Sequence, residues 1–258
     1  MMPHDDRRHA DSFGEDAEQY DRARPSYPAS LVDDLVTATS RRVLDVGCGT
    51  GIAARLLADR GCEVLGVESD TRMAAVARRH GIAVTVAMFE EWGPPPEPFD
   101  LLISAQAWHW VDPVAGAAKA GAVLSPGGRF AAFWNSNLHA REVKDALDPI
   151  YQRHRPEPVA DPAASNRAAV ARMHDTVADA LDAIDQFEPV EVRRYPWHAT
   201  YTRDQWLDQL PTHSDHRNMA PEALAALLAE VGEAIDGFGG QITLDHTTKV
   251  ITTTRKSG

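Results

Sequence analysis

The sequence predicts an α/β fold built on a doubly wound, mostly parallel sheet of seven strands, with helical insertions that form a lid or substrate region. Three observations support this prediction. Short apolar runs alternate with segments of helical spacing as far as residue 135. A glycine-rich turn follows the first apolar run, and further strand-like segments occur in the last third of the chain. Strands that alternate with helices of about ten residues are typical of βαβ units and parallel sheets.

Apolar runs in the first half of the chain are the predicted core strands. They lie at residues 42–46, 62–69, 82–88, 99–105 and 129–135. Near-continuous apolar runs of this kind are typical of parallel strands that are buried on both faces. The predicted helices lie at residues 29–40, 52–60, 71–80 and 113–124. Gly81 follows the third of these helices as a stop signal, and SPGG at 125–128 predicts a turn.

The pattern changes after Asn135, where longer helical segments predominate. The predicted helices lie at residues 139–186, with a break at RPEPVADP, and at residues 202–210 and 221–235. The two remaining strands are predicted at residues 187–197 and 241–255. Segments 139–186 and 200–236 are candidates for a lid or a substrate-specificity region. Extra packing layers are an equally good interpretation of both segments.

The composition disfavours several classes of protein. Of the 258 residues, 43% are hydrophobic and 25% are charged, which is ordinary for a globular protein. The 26 basic and 38 acidic residues give a net charge of −12, which disfavours nucleic-acid binding because that binding depends on phosphate neutralisation. Cys48 and Cys62 are too few for a disulfide framework or a zinc site.

The sequence also lacks the usual signals for membranes and secretion. No apolar run approaches the roughly 18 residues of a membrane span. The N-terminus has no apolar core of a signal peptide, and its first dozen residues are polar and are expected to be loose. We therefore expect a cytoplasmic protein.

The glycine-rich turn VLDVGCGTG is the first candidate binding site. Gly47, Gly49 and Gly51 follow the first strand, and glycine allows both positive φ and a close approach of a ligand. The helix that follows offers unpaired N–H groups and a partial positive charge. Asp45 precedes the glycines, and Glu68 at the end of the next strand can accept hydrogen bonds from ribose hydroxyls. The spacing is G-x-G-x-G and not the dinucleotide pattern G-x-G-x-x-G, so a nucleoside is favoured over a tight turn with a surface acid.

Further motifs extend along the chain and lead to a family. FGEDAEQYDRARPSYP lies near the N-terminus, VAMFEEW at the third strand, AQAWHWVDP after the fourth and LSPGGRFAAFWN at the fifth. With VLDVGCGTG and GVESD, they resemble class I S-adenosylmethionine-dependent methyltransferases, which have a Rossmann-like fold. The nearest subgroup is that of the trans-aconitate-methyltransferase-like enzymes, which act on small molecules. The resemblance covers residues 13–135, with a weaker likeness in YPWHATYTRDQWLDQLPTHSDH.

The resemblance implies S-adenosylmethionine as cofactor and a set of residues that contact it. Asp45 would reach the cofactor's amino group, Glu68 would bind the ribose diol, and Arg24 would pair with the carboxylate. The implied contacts are Tyr20, Arg24, Asp45, Gly47, Gly49, Gly51, Glu68, Ser69, Met73, Met88, Phe89, Glu90 and Gln106. This sequence departs from the family at Met88, where many members carry a small or acidic residue.

The resemblance also implies a division of the chain into three parts. Residues 1–28 would cap the cofactor, and residues 29–138 would form the S-adenosylmethionine-binding core. Residues 139–258 would complete the sheet and add helical insertions on the substrate side.

The implied reaction moves a methyl group to a small-molecule acceptor, with a carboxylate or hydroxyl oxygen as the expected target. A hydroxyl acceptor usually needs a general base, whereas a carboxylate needs none. His109, just past the fourth strand, is the candidate base. The expected substrate-pocket residues are Trp108, Trp110, His139 and His213. No metal is expected, because no histidine has metal-ligand spacing to a second ligand.

Two alternatives remain compatible with the motifs. A protein of the same fold could bind S-adenosylmethionine without catalysing a reaction. A nucleotide-dependent oxidoreductase is the second alternative, although its phosphate-binding spacing is absent. The expected partner is a small-molecule acceptor, with neither nucleic acid nor membrane involved.

Overall fold

One sheet organises the fold of the residues that the structure describes, 13–154 and 162–257. In this computed structural model the strands are β1 Arg42–Val46, β2 Glu63–Glu68, β3 Ala83–Val86, β4 Phe99–Ala105, β5 Leu124–His139, β6 Glu191–Thr202 and β7 Gln241–Thr254. Their order in the sheet is β3-β2-β1-β4-β5-β7-β6. β7 runs antiparallel to both of its neighbours, and the other pairs are parallel. The predicted mostly parallel sheet is confirmed.

Helices connect the strands and cover the sheet. They are α1 Ala17–Ala23, α2 Ala29–Leu35, α3 Ile52–Ala58, α4 Thr71–Arg79, α5 Pro113–Val123, α6 Arg141–His154, α7 Pro162–Asp182, α8 Arg203–Gln209, α9 Ser214–Arg217 and α10 Pro221–Asp236. Short 3₁₀ helices occupy Phe13–Asp16, Trp108–Trp110 and Leu210–Thr212. The predicted loose N-terminal dozen and most of the predicted break at RPEPVADP lie outside the described residues. Within the described ranges, no helix is both long enough and apolar enough to span a membrane.

Successive side chains along the strands belong to two separate core layers, one on each face of the sheet. This is the doubly wound arrangement that the sequence predicts. Val43 of β1 packs with Leu31 of α2 and Leu57 of α3 on one face. Leu44, the next residue, packs with Ala117 of α5 on the other face. Because both faces are covered by helices, the parallel strands are apolar along almost their whole length.

Two boundaries differ from the predictions for physical reasons. Helix α2 ends at Leu35 and not at residue 40, because the Thr37 amide donates to Ser40 Oγ at 3.1 Å, and such hydroxyls compete with helical hydrogen bonds. Strand β5 includes the predicted turn at 125–128 and continues to His139. The extension forms because residues 129–139 pair without interruption with β7. The local sequence does not predict this pairing. Strand β6 is likewise displaced to 191–202, since it also follows β7.

The far ends of β5, β6 and β7 form an antiparallel extension beyond the parallel strands. A third apolar cluster covers it, in which Val143 of α6, Trp206 of α8 and Val231 of α10 meet Leu244 of β7. Helix α6 and the segment 200–236 therefore pack on this extension, next to the end of the sheet where the glycine-rich turn lies, whereas Val177 and Leu181 of α7 join the cluster that contains Ala117 of α5.

Replacing Trp108 with Ala should destabilise the fold by about 3–5 kcal/mol, because a large core side chain would leave a cavity. Trp108 is 1% exposed and its ring meets the Phe130 ring edge-on, with 4.7 Å between centroids. Urea unfolding measures the change. Trp110→Ala, two residues away and only half-buried, is the matched control and should cost clearly less. Equal losses in the two variants would contradict the placement of Trp108 in the core.

Candidate functional site

A cavity of about 280 Å³ opens at the carboxyl ends of β1, β2 and β4. This edge of an open parallel sheet is where α/β folds bind ligands. The predicted site residues that line it are Tyr20, Arg24, Gly47, Gly49, Glu68, Ser69, Met73, Met88, Phe89, Glu90, Gln106, His109 and Trp110. The structure thus brings together side chains from several motifs that are far apart in the sequence.

Other predicted site residues lie off the cavity wall: Asp45, Gly51, Trp108, His139 and His213. Trp108 belongs to the apolar core, because the first ring of the WHW segment turns inward and the following two residues face the cavity. Gly51 has a packing reason for being glycine. A Cβ at this position would lie 3.3 Å from the Cβ of Ala77, so glycine lets α3 approach α4.

The two remaining histidines serve the C-terminal region in this structure. His139 meets the ring of Trp206 edge-on, with 5.4 Å between centroids, and burial lowers its pKa. His213 lies beside Arg24, and burial together with that positive charge lowers its pKa to about 3. Both rings are therefore neutral near pH 7, and the structure places neither on the wall of this cavity.

The glycine-rich turn forms the floor of the cavity. Gly47 has a φ of +66°, and a Cβ there would lie 2.5 Å from the Cβ of Ala107. Gly49 has a φ of +55°, which also favours glycine. Its amide donates to Glu68 Oε2 at 2.8 Å, so the turn is fixed to the end of the neighbouring strand.

Glu68 is held by backbone amides while it faces the cavity. Its Oε2 accepts from Gly49, and its Oε1 accepts from the Asp70 amide at 2.9 Å. Burial raises the pKa of Glu68, and these two amides oppose that rise. A carboxylate has about four acceptor positions, so Glu68 can still accept hydrogen bonds from a ligand diol.

Asp45 is an acidic group buried under the glycine-rich turn. It is completely buried on β1, and neither carboxylate oxygen has a hydrogen-bond partner among the described residues. Burial, followed by the nearby charge of Glu68, raises its pKa to about 8. A buried charge without a partner is costly, so this position suits the binding of a cation from the cavity side. Its neighbour Val46 lines the cavity.

Gln106 closes the end of β4 in an unusual backbone conformation. Its φ of +59° makes it the only non-glycine residue with positive φ in the described part of the chain. Its amide donates to the Phe133 carbonyl at 2.9 Å, which holds the strained residue in place. Strain of this kind persists mainly at functional sites, and the sequence alone gives no signal of it.

The segment after β3 forms a side wall and is tied to α5. Glu90 Oε1 accepts from the Asp112 amide at 2.8 Å, and Lys119 donates to the Glu90 carbonyl at 2.9 Å. Phe89 is 4% exposed and packs against Trp108 with 5.7 Å between ring centroids. The wall is therefore fixed before any ligand arrives.

Helix α1 lies over the cavity and forms its roof. Hydrogen bonds on two sides of the helix hold it in place. Asp208 of α8 accepts two hydrogen bonds from Arg22, at 2.7 and 2.8 Å, and one from Gln19 at 2.9 Å. The bonds to Arg22 lower the pKa of Asp208. On the other side of the helix, Asp21 accepts from Arg55 of α3 at 2.8 Å.

Arg24 lies at the end of this roof and faces the cavity. Its guanidinium lies over the Tyr20 ring, 4.9 Å from the centroid, and donates to the Thr212 carbonyl at 2.7 Å. It also lies 3.3 Å from Nδ1 of His213. Its buried Nε has no partner among the described residues.

Several contacts at this site were not foreseen from the sequence. Asp70 and Ala107 also line the cavity. Asp70 caps α4 by accepting from the Arg72 amide at 2.8 Å, and an acid just before a helix is the signal that could have found it. Asp208 and Thr212 hold Arg22 of α1 and Arg24, respectively. The sequence around these two residues gives no indication that they lie near the cavity. The described residues contain no cluster of metal-ligating side chains.

Comparison with known proteins agrees with this geometry. Residues 43–128 match the family model described as a methyltransferase domain. This part of the chain is thus similar to methyltransferase domains. The sheet of this chain has the class I methyltransferase fold. The chain is similar in structure to a protein from Anaeromyxobacter dehalogenans that is described as a type II methyltransferase. That similarity has a TM-score of 0.64 at 26% identity and covers 90% of this chain and 97% of the other.

Two curated relatives are named as methyltransferases. An uncharacterized methyltransferase of Mycobacterium tuberculosis is 41% identical over 153 residues, which cover 55% of this chain and 63% of the relative. A trans-aconitate 2-methyltransferase of Mycobacterium ulcerans is 37% identical over 113 residues, which cover 43% of this chain and 42% of the relative. The matches thus span less than two thirds of each relative's length.

Replacing Asp45 with Asn should change how the stability of the ligand-free protein depends on pH. The folded-state pKa is about 8 and the ordinary value is 3.8, so the folded chain holds an extra proton here between these values. This site therefore makes the unfolding free energy fall as the pH rises from 4 to 8. Asn removes that effect. The Tm of the variant minus that of the wild type should therefore increase from pH 4 to pH 8 and stay constant at higher pH. Thermal unfolding at a series of pH values measures the difference, and a pH-independent difference would contradict the buried acid.

Replacing Asp208 with Ala should loosen the roof, because Gln19 and Arg22 would lose their shared acceptor. We expect faster amide hydrogen exchange in residues 17–24, measured by mass spectrometry. Asp204→Ala, on the same helix and paired with the neighbouring Arg203, is the control. Unchanged exchange in the Asp208 variant would show that α1 is held by its other contacts alone.

Proposed function

We propose that this chain transfers a methyl group from S-adenosylmethionine to an oxygen of a small-molecule acceptor. The observation that carries the proposal is the meeting of the glycine-rich turn, Glu68 and helix α1 around one cavity at the end of the sheet. The methyltransferase domain at residues 43–128 contains the floor and walls of that cavity.

Two polar groups without partners suit the amino-acid end of this cofactor. Asp45 and the Nε of Arg24 are both buried, and neither has a hydrogen-bond partner among the described residues. The methionyl part of S-adenosylmethionine carries one ammonium and one carboxylate group. We assign the ammonium to Asp45, directly or through water, and the carboxylate to Arg24, because each charge would then gain an opposite partner.

The rest of the cofactor fits the other walls. We assign the ribose diol to Glu68, which faces the cavity, and the adenine to the wall formed by Met73, Met88 and Phe89. Glycines 47 and 49 leave space along the floor for a close approach. The spacing of the turn favours a nucleoside without a pyrophosphate, which argues against a nicotinamide cofactor.

The cofactor, when bound, supplies an activated methyl group on a sulfonium. The contribution of the chain is then to align the acceptor with that group and to exclude water. Alignment alone can lower a barrier by about 7–11 kcal/mol when the geometry is close to that of attack. Tyr20 and Trp110 on the wall offer aromatic faces that attract a cation, each worth about 0.5–2 kcal/mol.

Several features favour a small acceptor. The roof formed by α1 covers the cavity, and the net charge of −12 disfavours an RNA or DNA target. The trans-aconitate 2-methyltransferase of Mycobacterium ulcerans is named for a small organic acid. Two free cysteines, Cys48 and Cys62, suit a reducing compartment, and we propose a cytoplasmic location.

Isothermal titration calorimetry with S-adenosylhomocysteine tests this proposal without knowledge of the acceptor. We expect saturable binding by the wild type and about 10- to 100-fold weaker binding by Glu68→Gln, because a charged acceptor for the diol is lost. Glu63→Gln, at the exposed start of the same strand, should bind as the wild type does. The absence of binding at millimolar S-adenosylhomocysteine would overturn the proposal, as would tight binding of NADH.

A further inference from the structure

The guanidinium of Arg24 is held by two consecutive residues from the C-terminal part of the chain. Its Nη2 donates to the Thr212 carbonyl at 2.7 Å, and its Nη1 lies 3.3 Å from Nδ1 of His213. A guanidinium has five N–H donors in a rigid plane, so contacts to both Nη atoms fix the direction in which it points. The buried Nε–H, which has no partner among the described residues, takes no part in these two contacts.

The contact with Arg24 determines where the hydrogen of the His213 ring lies. A guanidinium can only donate, so Nδ1 of His213 must accept, and the neutral ring then carries its hydrogen on Nε2. Burial and the charge of Arg24 keep the ring neutral by lowering its pKa to about 3. Asp215 and His216 are the other titratable groups that act on the ring. Asp215 opposes this shift of the pKa, and His216 adds to it.

The side-chain amide of Gln209 lies against the other nitrogen of this ring. Its Nε2 lies 3.3 Å from Nε2 of His213, while its buried Oε1 has no partner among the described residues. Because Nε2 of His213 carries the hydrogen, the group opposite it must accept. A half-turn of the amide exchanges its nitrogen and its oxygen and supplies that acceptor. Gln209 then holds the ring in the orientation that Arg24 requires.

The residues that hold Arg24 are themselves fixed by the turn that follows α8. Gln209 and Thr212 are both fully buried, and the Thr212 hydroxyl donates to the Gln209 carbonyl at 2.6 Å. The His213 amide donates to the Leu210 carbonyl at 3.0 Å. One short turn therefore presents the Thr212 carbonyl and the His213 ring to Arg24 together.

We propose that His213 is a positioning residue, which accepts through Nδ1 from Arg24, donates through Nε2 to Gln209, and so directs the guanidinium of Arg24 toward the carboxylate of the bound cofactor. The inference rests on the proposed function, which assigns that carboxylate to Arg24. It gives His213 a role in recognising the amino-acid end of the cofactor, whereas the sequence predicted a place in the substrate pocket. A carboxylate would bind to the N–H groups of Arg24 that Thr212 and His213 do not use.

Calorimetry with two ligands separates the positioning of Arg24 from general support of the cavity. S-adenosylhomocysteine carries the amino-acid end, whereas methylthioadenosine is a related nucleoside thioether that lacks it. We expect His213→Ala to bind S-adenosylhomocysteine about 5- to 20-fold more weakly than the wild type does, and methylthioadenosine within about twofold of the wild type. His213→Asn should keep most of the affinity for S-adenosylhomocysteine, because its side-chain oxygen can lie where Nδ1 lies.

Two further variants complete this test. In an Arg24→Ala background, His213→Ala should cause no further loss of affinity, since the group that it positions is absent. His216→Ala is the matched control. It removes the next histidine along the chain, which is also buried and lies within hydrogen-bond distance of Asp215 and Tyr151, and it should bind both ligands as the wild type does.

The outcomes distinguish this inference from the proposed function. Equal weakening of both ligands in His213→Ala would overturn the positioning role, and so would losses that add fully to those of Arg24→Ala. An effect of His216→Ala as large as that of His213→Ala would also overturn it. Failure of the wild type to bind S-adenosylhomocysteine would instead be a failure of the proposed function.

The proton position on His213 can be measured in the ligand-free protein. We would label the histidines with ¹⁵N and record the long-range ¹H–¹⁵N correlation at pH 6, where an ordinary histidine is mostly charged. His213→Asn assigns the His213 signals by their loss. We expect a neutral His213 ring with its hydrogen on Nε2. A charged ring, or a hydrogen on Nδ1, would contradict the contact with Arg24 and overturn the proposal.

Discussion

The hydrogen bond from the Gly49 amide to Glu68 is the contact on which the cavity depends. It joins the turn after β1 to the end of β2, so the floor and the acidic wall form one unit. The positive φ of Gly49 directs the amide toward the carboxylate, and the Asp70 amide holds the other oxygen of Glu68. With the carboxylate fixed in this way, the neighbouring elements can be built around it: β4 ends at the strained Gln106, and the segment after β3 closes the side.

The same region shows a conflict between stability and ligand binding. For the stability of the core alone, an apolar residue would suit position 45 better than Asp45, because the neighbouring side chains on β1 are buried and hydrophobic. Its raised pKa records the cost of ionising an acid at this depth without a partner. A protein that binds a cation can tolerate that cost, since binding supplies the missing charge. Buried acids of this kind are therefore informative about ligands even in a structure that holds none.

Much of the fold could be predicted from the sequence, since buried parallel strands are apolar along their length. The limits of β1 and β4 were predicted to the residue. The length of β5 was not, because pairing with β7 decides it. Within the WHW segment, residue types gave no way to separate Trp108 in the core from Trp110 on the wall.

The bond between Gln19 and Asp208 joins residues 189 positions apart in the chain. During synthesis, the residues of the cavity floor leave the ribosome long before the residues that secure the roof. A growing chain therefore contains the glycine-rich turn and Glu68 well before the residues of α8 that hold α1. Two parts of the polypeptide that are far apart in sequence thus converge on one small volume.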